Sequence, residues 1–157
     1  MTQSEIYRHH HAENRARGFS ILKEERGALL AELLGTGKRV LDIGCRDGAL
    51  TRYFKEGNTI TGIDIDDTAL TEAARLGIET IKVDLNEEWT ELSGRTFDAA
   101  VAGEVLEHLY FPERITGKVA NLIKPGGFFV GSVPNAFSLK NRLRYLFGTK
   151  RHTPLSD

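Results

Sequence analysis

Acidic residues follow two short apolar segments of the chain, at the points where those segments end. Asp64 ends the segment at 59–64, and Asp84 with Leu85 follows the segment at 79–83. A carboxylate at the end of a buried strand can accept hydrogen bonds from ribose hydroxyls. An acid beside an apolar side chain suits the amino edge and the face of a purine. The pattern therefore indicates a site for a small molecule that contains adenosine.

A glycine-containing segment, VLDIGCRDGAL at 40–50, lies upstream of both acids. Apolar and β-branched residues are followed by Gly44 and Gly48, and then by an apolar periodicity typical of a helix. Glycine permits positive φ and lets a ligand approach the backbone. A helix that begins near Asp47 would offer unpaired N–H groups and a positive dipole end to an anion. We therefore expect a strand, a tight turn and a helix, with a pocket at the carboxyl end of the strand.

Two classes of ligand fit a turn of this kind. A dinucleotide needs glycine at three positions, G-x-G-x-x-G, so that the pyrophosphate can approach the backbone. The corresponding residues are Gly44, Arg46 and Ala49, and Arg46 fails the middle position. S-adenosylmethionine has no phosphate, so it tolerates a looser turn and needs several polar anchors. The sequence favours the second ligand and leaves an NAD-linked oxidoreductase as an alternative.

The elements that must position these residues alternate between strands and helices. We predict strands at 39–43, 59–64, 79–83, 97–101 and 128–133, and helices at 20–34, 66–76, 113–123 and 139–147. Such alternation is typical of an α/β fold with a parallel sheet. The carboxyl ends of parallel strands meet at one edge, which brings the glycine turn and both acids together.

Five motifs, in this order and spacing, resemble class I S-adenosylmethionine-dependent methyltransferases. They read LDIGCRDG, TGIDID, VDLN, FDAAVAGEVLEHL and LIKPGGFFVGSVPN. The resemblance implies a Rossmann-like, doubly wound, mostly parallel sheet with strand order 3-2-1-4-5. It implies one domain at 1–157, with a helical cap at 1–38, a cofactor-binding core at 39–135 and a basic helix and tail at 136–157. The family's sheet ends in a further hairpin that this sequence does not supply. We therefore expect a truncated chain with an open sheet edge, covered by the basic helix or by a second copy in a homodimer.

The resemblance also implies roles for individual residues. S-adenosyl-L-methionine is the expected cofactor, and a small molecule, through an oxygen atom, is the expected methyl acceptor. Asp42 and Gly44 would hold the methionine end of the cofactor, with Gly103 near its amine, while Asp64 would bind the ribose and Asp84 and Leu85 the adenine. Cys45, Gly48 and Ile65 are also expected to bind the cofactor. His108 is the first candidate for a base, and Asn135 is expected near the substrate. Glycine is usual in the family where this chain has Arg46, so the side chain there must either point away from the cofactor or contact its carboxylate.

The residues Glu104, Glu107 and His108 would share one face of a helix. Two carboxylates and an imidazole could hold Mg²⁺, as in the small-RNA 2′-O-methyltransferases that this pattern resembles, with His152 as a further ligand. Some ubiquinone-pathway O-methyltransferases share the pattern. Many small-molecule methyltransferases also carry it without metal. We predict no metal, and His108 as a base or a structural residue. A metal-assisted RNA methyltransferase and a non-catalytic cofactor-binding module stay as alternatives.

The length, net charge and cysteine content of the chain limit which partners and which cellular compartment we expect. A chain of 157 residues suffices for one domain, and a formal net charge of −1 gives no general attraction to nucleic acid. The single cysteine, Cys45, excludes an internal disulfide and favours a reducing compartment, so we expect a cytoplasmic protein. No apolar run reaches the length of a membrane span or the core of a signal peptide.

Two further segments carry alternatives. Trp89 could stack on the adenine or pack on the sheet. The segment 139–147 is a predicted basic amphipathic helix, followed by Lys150 and Arg151. A solvated face is one interpretation of this helix. An acidic or phosphorylated substrate, or a membrane surface, is the other.

Overall fold

The central feature of the fold is a parallel sheet of five strands. The computed structural model describes residues 22–109, 111–135 and 138–149. Within them the strands are β1 (Arg39–Ile43), β2 (Thr59–Asp64), β3 (Glu79–Lys82), β4 (Phe97–Gly103) and β5 (Ile123–Ser132). Their order is β3-β2-β1-β4-β5, and every neighbouring pair is parallel. The predicted doubly wound fold and strand order are confirmed.

Four α-helices accompany the sheet in the described residues. They are α1 (Lys23–Leu34), α2 (Asp67–Arg75), α3 (Pro112–Leu122) and α4 (Leu139–Leu146). The predicted cap of α2 is present, because Asp66 accepts hydrogen bonds from the N–H groups of Thr68 and Ala69. No helix among these residues combines the length and the apolar character needed to cross a membrane.

The core lies on both faces of the sheet because side chains alternate along each central strand. In β1, Val40 packs with α1 residues on one face, while Leu41 and Ile43 pack on the other. The second face is covered by Ile115 and Val119 of α3. This alternation leaves the strand ends at the sheet edge as the place for polar side chains.

Helix α1 packs on the same face of the sheet as Val40, but fewer of its leucines are buried than the sequence pattern predicted. Leu30 and Leu34 are buried, but Leu29 and Leu33 are 55% and 50% exposed. A Cβ on Gly27 would lie 2.3 Å from the Tyr53 ring, so the absence of a side chain lets the helix approach that ring.

The predicted helix beginning near Asp47 is wrong. Only one 3-10 turn, Thr51–Tyr53, forms between β1 and β2. Arg46 and Gly48 have φ of 48° and 75°, and these left-handed residues interrupt the right-handed backbone that a helix requires. The loop therefore supplies no helix terminus for an anion.

Strand β5 begins at Ile123, five residues earlier than predicted. Phe97 pairs with Ile123 and Ala99 with Phe128, so a bulge accommodates the Pro125-Gly126-Gly127 turn inside the strand. A Cβ on Gly127 would lie 2.6 Å from the Asp98 carbonyl oxygen, which explains why glycine is needed there.

Candidate functional site

A cleft lies at the carboxyl ends of the strands, where the sequence predicted a pocket. The cleft is open to solvent, and the empty space in and in front of it amounts to about 360 Å³. Its lining residues come from the ends of β1, β2 and β3 and from the turn after β4: Gly44, Asp64, Ile65, Asp84, Leu85, Asn86, Val105 and Leu109. The structure therefore brings together five of the predicted cofactor-binding residues.

The turn after β1 is fixed by backbone hydrogen bonds to β2. The N–H groups of Gly44 and Cys45 both donate to the Ile63 carbonyl, at 2.8 and 3.2 Å. Gly44 has φ of 71°, and a Cβ there would lie 2.7 Å from Val105 Cγ2. The glycine is therefore required both by its conformation and by the close approach of Val105.

Asp64 is the buried carboxylate of the cleft. Its Oδ2 accepts from the Arg46 N–H at 3.1 Å and its Oδ1 from the Asp66 N–H at 3.0 Å. Burial raises the pKa of Asp64, and the backbone hydrogen bonds oppose that rise. Each oxygen retains a lone pair, so the carboxylate can accept further hydrogen bonds from a ligand.

Asp84 is both a turn residue and a cleft residue. Its Oδ1 accepts from the backbone N–H of Asn86 at 2.9 Å and from the Asn86 side-chain amide at 3.2 Å. The Oδ2 atom makes no hydrogen bond to the described residues. Asp84 can therefore cap the turn through Oδ1 and still accept a hydrogen bond from a ligand through Oδ2.

Asp42 lies beneath the loop and does not line the cleft. It is 4% exposed, and its Oδ2 accepts from the Thr51 hydroxyl at 2.5 Å. Burial raises the pKa of this carboxyl to about 7, the Thr51 hydrogen bond lowers it, and the nearby charge of Asp64 raises it.

Cys45 and Gly48 are not among the residues that line the cleft. The Cys45 sulfur lies 2.6 Å from where a Cβ on Gly62 would be, and burial raises the pKa of its thiol. A Cβ on Gly48 would lie 2.8 Å from Ile78 Cδ1. Both residues shape the loop from below, and their predicted binding roles stay predictions.

Gly103 at the end of β4 lies under Arg26, a residue that the sequence analysis missed. A Cβ on Gly103 would lie 3.1 Å from Arg26 Nη2. The guanidinium makes an ion pair with Glu104 at 3.1 Å and donates to the Ser132 hydroxyl at 3.1 Å. Arg26 therefore joins α1 to the carboxyl ends of β4 and β5. No local pattern reveals it, because its partners are distant in sequence.

The predicted helical face of Glu104, Glu107 and His108 is wrong. Glu104 has φ of 58° and donates its N–H to the Ser132 carbonyl, and a 3-10 turn spans only Leu106–His108. Glu104 therefore faces Arg26, while His108 Nε2 lies 3.9 Å from Glu107 Oε1. Among the described residues, no group of three or more His, Cys, Asp or Glu side chains could hold a metal ion. His152 and Arg151 lie outside the described residues.

Three apolar or amide residues of the lining were also missed: Asn86, Val105 and Leu109. They are ordinary core or turn residue types, so only the fold assigns them to the cleft. Trp89 is not among the lining residues. It is 7% exposed, packs in the core, and carries the Lys118 ammonium 5.2 Å from its ring centroid.

Comparisons with known proteins agree with this architecture. The ubiquinone biosynthesis O-methyltransferase of Photobacterium profundum is 35% identical over 117 residues, which are 71% of this chain and 48% of that protein. The chain spans about half the length of the curated relatives it matches.

Solved structures give the same fold. An S-adenosylmethionine-dependent methyltransferase from Mesorhizobium loti is 26% identical, with a TM-score of 0.60 over 69% of this chain and 53% of that chain. An amino pentose methyltransferase from Micromonospora echinaspora, solved with S-adenosylmethionine bound, is 22% identical, with a TM-score of 0.63 over 80% of this chain and 56% of that chain. A sequence model described as "Methyltransferase domain" matches residues 9–154. The chain therefore belongs to the methyltransferase-domain family, and its resemblance to class I S-adenosylmethionine-dependent methyltransferases is confirmed.

Proposed function

We propose that this chain holds the cofactor-binding part of an enzyme that transfers a methyl group from S-adenosylmethionine to an oxygen atom of a small molecule. The observation that carries the proposal is the convergence of Asp64 and Asp84 with Ile65 and Leu85 in one cleft beside the Gly44 turn. Hydrogen-bond acceptors for a ribose and an amino group thus lie beside apolar surface for a purine.

The charge of the cleft supports this ligand over a dinucleotide. The described lining carries two acids, Asp64 and Asp84, and no lysine or arginine. A pyrophosphate would be repelled by these carboxylates, and the loop supplies no helix terminus to compensate. A sulfonium cation is electrostatically favoured there.

The methionine end of the ligand would lie towards Asp42, Gly103 and Arg26. Asp42 does not line the cleft, so its buried carboxylate would act on the ammonium group only at a distance, from beneath the loop. The ligand's carboxylate would be bound by Arg26, whose guanidinium lies beside Gly103 with a side-chain exposure of 16%. A planar guanidinium suits a carboxylate because it can donate two parallel hydrogen bonds.

The bound cofactor supplies an electrophilic methyl group on sulfur. The protein's own contribution is to hold an acceptor in line with that group and to remove its proton. We propose His108 as the residue that takes the proton from an acceptor hydroxyl; its Nε2 atom is buried beside Glu107, so the ring would have to turn towards the cleft to do so. Glu107 Oε1, at 3.9 Å, would stabilise the protonated imidazole, and the neighbouring Leu109 lines the cleft.

The acceptor class is proposed from the relatives. Matching proteins are named ubiquinone biosynthesis O-methyltransferases, which favours a hydroxylated ring as acceptor. Many methyltransferases with other acceptors share the fold, so the fold alone does not select one.

Calorimetric titration of the chain with S-adenosylmethionine, S-adenosylhomocysteine and NAD tests the proposal. We expect micromolar binding of the first two ligands, no binding of NAD, and a loss of at least tenfold in Asp64→Asn. Asp67→Asn is the matched control, because Asp67 is an acid on the exposed side of the same turn, paired with Lys82. Binding of NAD alone, or equal affinities in the two variants, would contradict the proposed site.

We also propose a cytoplasmic location and a homodimer that covers the outer edge of β5, with which no strand of the described residues pairs. The free thiol of Cys45 supports a reducing compartment. The residues of β5 are half-buried or exposed, unlike those of β4, so a second copy could cover that edge. Sedimentation equilibrium would measure the association.

A further inference from the structure

Arg26 and Glu104 form an ion pair at the carboxyl ends of β4 and β5. Arg26 Nη1 lies 3.1 Å from Glu104 Oε1, and Arg26 Nη2 donates to the Ser132 hydroxyl at 3.1 Å. The side chains of Arg26 and Glu104 are 16% and 15% exposed. Both charges are therefore largely removed from water, yet each keeps some surface that a small ligand can contact.

This ion pair lies beside the cleft. Strands β1 and β4 are parallel neighbours, and their last paired residues directly precede Gly44 and Gly103, so these two glycines follow side by side. A Cβ on Gly103 would lie 3.1 Å from Arg26 Nη2, so the missing side chain leaves room next to the guanidinium. Glu104 comes next and is followed by Val105, which lines the cleft. The pair is therefore placed where β1 and β4 end together.

The backbone of Glu104 adopts a conformation that favours glycine. Its φ is 58°, and its N–H donates to the Ser132 carbonyl at 2.9 Å. A left-handed backbone is unfavourable for a residue that carries a Cβ, and such strain is concentrated at ligand sites. Glycine would relieve the strain here but would remove the carboxylate. The strained conformation therefore points to a role for the Glu104 side chain.

The ammonium group of the cofactor lacks an acid in the proposed binding mode. The acids that line the cleft, Asp64 and Asp84, are assigned there to the ribose and the adenine. Asp42 is buried beneath the loop and does not line the cleft. Because the methionine part of the cofactor carries a carboxylate and an ammonium group, a site for it needs a cation and a further acid close together.

We infer that Glu104 binds the ammonium group of the cofactor while Arg26 binds its carboxylate, so that the ion pair recognises both charges of an α-amino acid. The inference rests on the proposed function, because it takes S-adenosylmethionine as the ligand. A guanidinium has several N–H donors, so Arg26 can bind Glu104 and a ligand carboxylate at the same time. A carboxylate accepts hydrogen bonds at both oxygens, so Glu104 Oε2 can contact the ammonium group while Oε1 stays beside Arg26.

Calorimetric titration with adenosine ligands that differ only in these charges tests the inference. S-adenosylhomocysteine carries both groups, its desamino analogue only the carboxylate, its decarboxylated analogue only the ammonium group, and 5′-methylthioadenosine neither. Each ligand with the ammonium group is compared with its counterpart without it. In Glu104→Gln we expect both affinity ratios to fall about tenfold, the range for a hydrogen bond between charged groups. The desamino analogue should bind no more weakly than to the unaltered chain, because Arg26 is still present.

Two further variants control this experiment. Glu25→Gln removes an exposed acid from the same helix as Arg26, and it should leave both ratios unchanged. Glu104→Gly removes the carboxylate at a position where glycine adopts the observed φ of 58° without strain, so the fold should be kept. We expect this variant to show the same fall in both ratios as Glu104→Gln.

The outcomes separate this inference from the proposed function. Ratios that stay the same in both Glu104 variants, while the ligands still bind, would overturn the inference and leave the proposed cofactor in place. An equal loss of affinity for every ligand would also overturn it, because Glu104 would then only hold Arg26 and the strand ends in position. If no ligand of the set, 5′-methylthioadenosine included, bound the unaltered chain, the proposed function would fail and the inference with it.

Discussion

The backbone N–H of Arg46 donates a hydrogen bond to the Oδ2 atom of Asp64, at 3.1 Å. This bond connects the turn after β1 to the acid at the end of β2, so the two motifs form one rigid unit. Arg46 reaches this geometry with a φ of 48°, in the left-handed region that glycine adopts at little cost. The backbone therefore keeps the left-handed conformation here even though arginine replaces the glycine that is usual in the family.

We predict that Arg46→Gly stabilises the protein. A left-handed conformation costs a non-glycine residue about 1–2 kcal/mol, and the greater freedom of glycine in the unfolded chain offsets about 0.5–1 kcal/mol. Urea denaturation should therefore show that the free energy of unfolding is higher in the variant by about 0.5–1 kcal/mol. Gly48→Ala is the control and should be destabilising, because its Cβ would lie 2.8 Å from Ile78 Cδ1. A loss of stability in Arg46→Gly would show that the arginine side chain makes compensating contacts.

The strand ends of this site were predictable from the sequence, while the connections across the sheet were not. Asp64 follows an apolar run whose length and β-branched content define a buried strand, and parallel order then fixes where the acid lies. Arg26 has no such signal, since Ser132 is 106 residues away. The missing helix after β1 depended on the left-handed backbone of Arg46, a residue type that rarely adopts it.

Truncating Arg26 should weaken binding of ligands that carry the methionine carboxylate. In Arg26→Met, we expect the affinity for S-adenosylhomocysteine to fall about 10–100-fold, the range for a hydrogen bond to a charged group. Adenosine lacks that carboxylate, so its affinity should not change. Arg52→Met, which alters an exposed arginine beside Tyr53, is the matched control. A parallel loss for both ligands would mean that Arg26 only positions the ends of β4 and β5.

The buried carboxyl of Asp42 should make stability depend on pH. Burial raises its pKa from 3.8 to about 7, so the folded protein keeps a proton that the unfolded chain has already lost. The resulting stabilisation is fully present below about pH 4 and is lost as the pH rises through 7. Asp42→Asn has no carboxyl to titrate at this position, so it should not lose this stabilisation. Relative to the unaltered protein, its free energy of unfolding should therefore rise by about 2–4 kcal/mol between pH 4 and pH 8.

Chemical denaturation at several pH values measures that difference, because terms from other carboxylates cancel between the two proteins. Thr51→Val supplies a second check. It removes the hydroxyl that donates to Asp42 Oδ2, so the pKa of Asp42 should rise further and the loss of stability should move to higher pH. A difference that does not vary with pH would show that Asp42 is ionised throughout.

Lys118 on α3 should control the order of the cleft loop after β3. Its ammonium donates to the carbonyls of Leu85 and Glu87 and lies 5.2 Å from the centroid of the Trp89 ring. Leu85 lines the cleft, so loss of the ammonium should loosen one wall of the site. In Lys118→Met, which keeps the apolar stem, we expect the free energy of unfolding to fall by about 1–2 kcal/mol. The affinities for adenosine and for S-adenosylhomocysteine should fall by the same factor as each other.

The fluorescence of Trp89, the chain's single tryptophan, distinguishes this positioning role from a general loss of stability. Because the ammonium faces the indole, Lys118→Met should change the emission of the folded protein, and adenosine should partly restore it by ordering the loop. Lys118→Arg keeps the cation and should preserve most of the affinity. Lys124→Met, which removes a partner of Asp98 at the amino end of β4, should destabilise without altering the emission or the affinity. If Lys118→Met left both signals unchanged, the loop would be ordered by the Asp84–Asn86 hydrogen bonds alone.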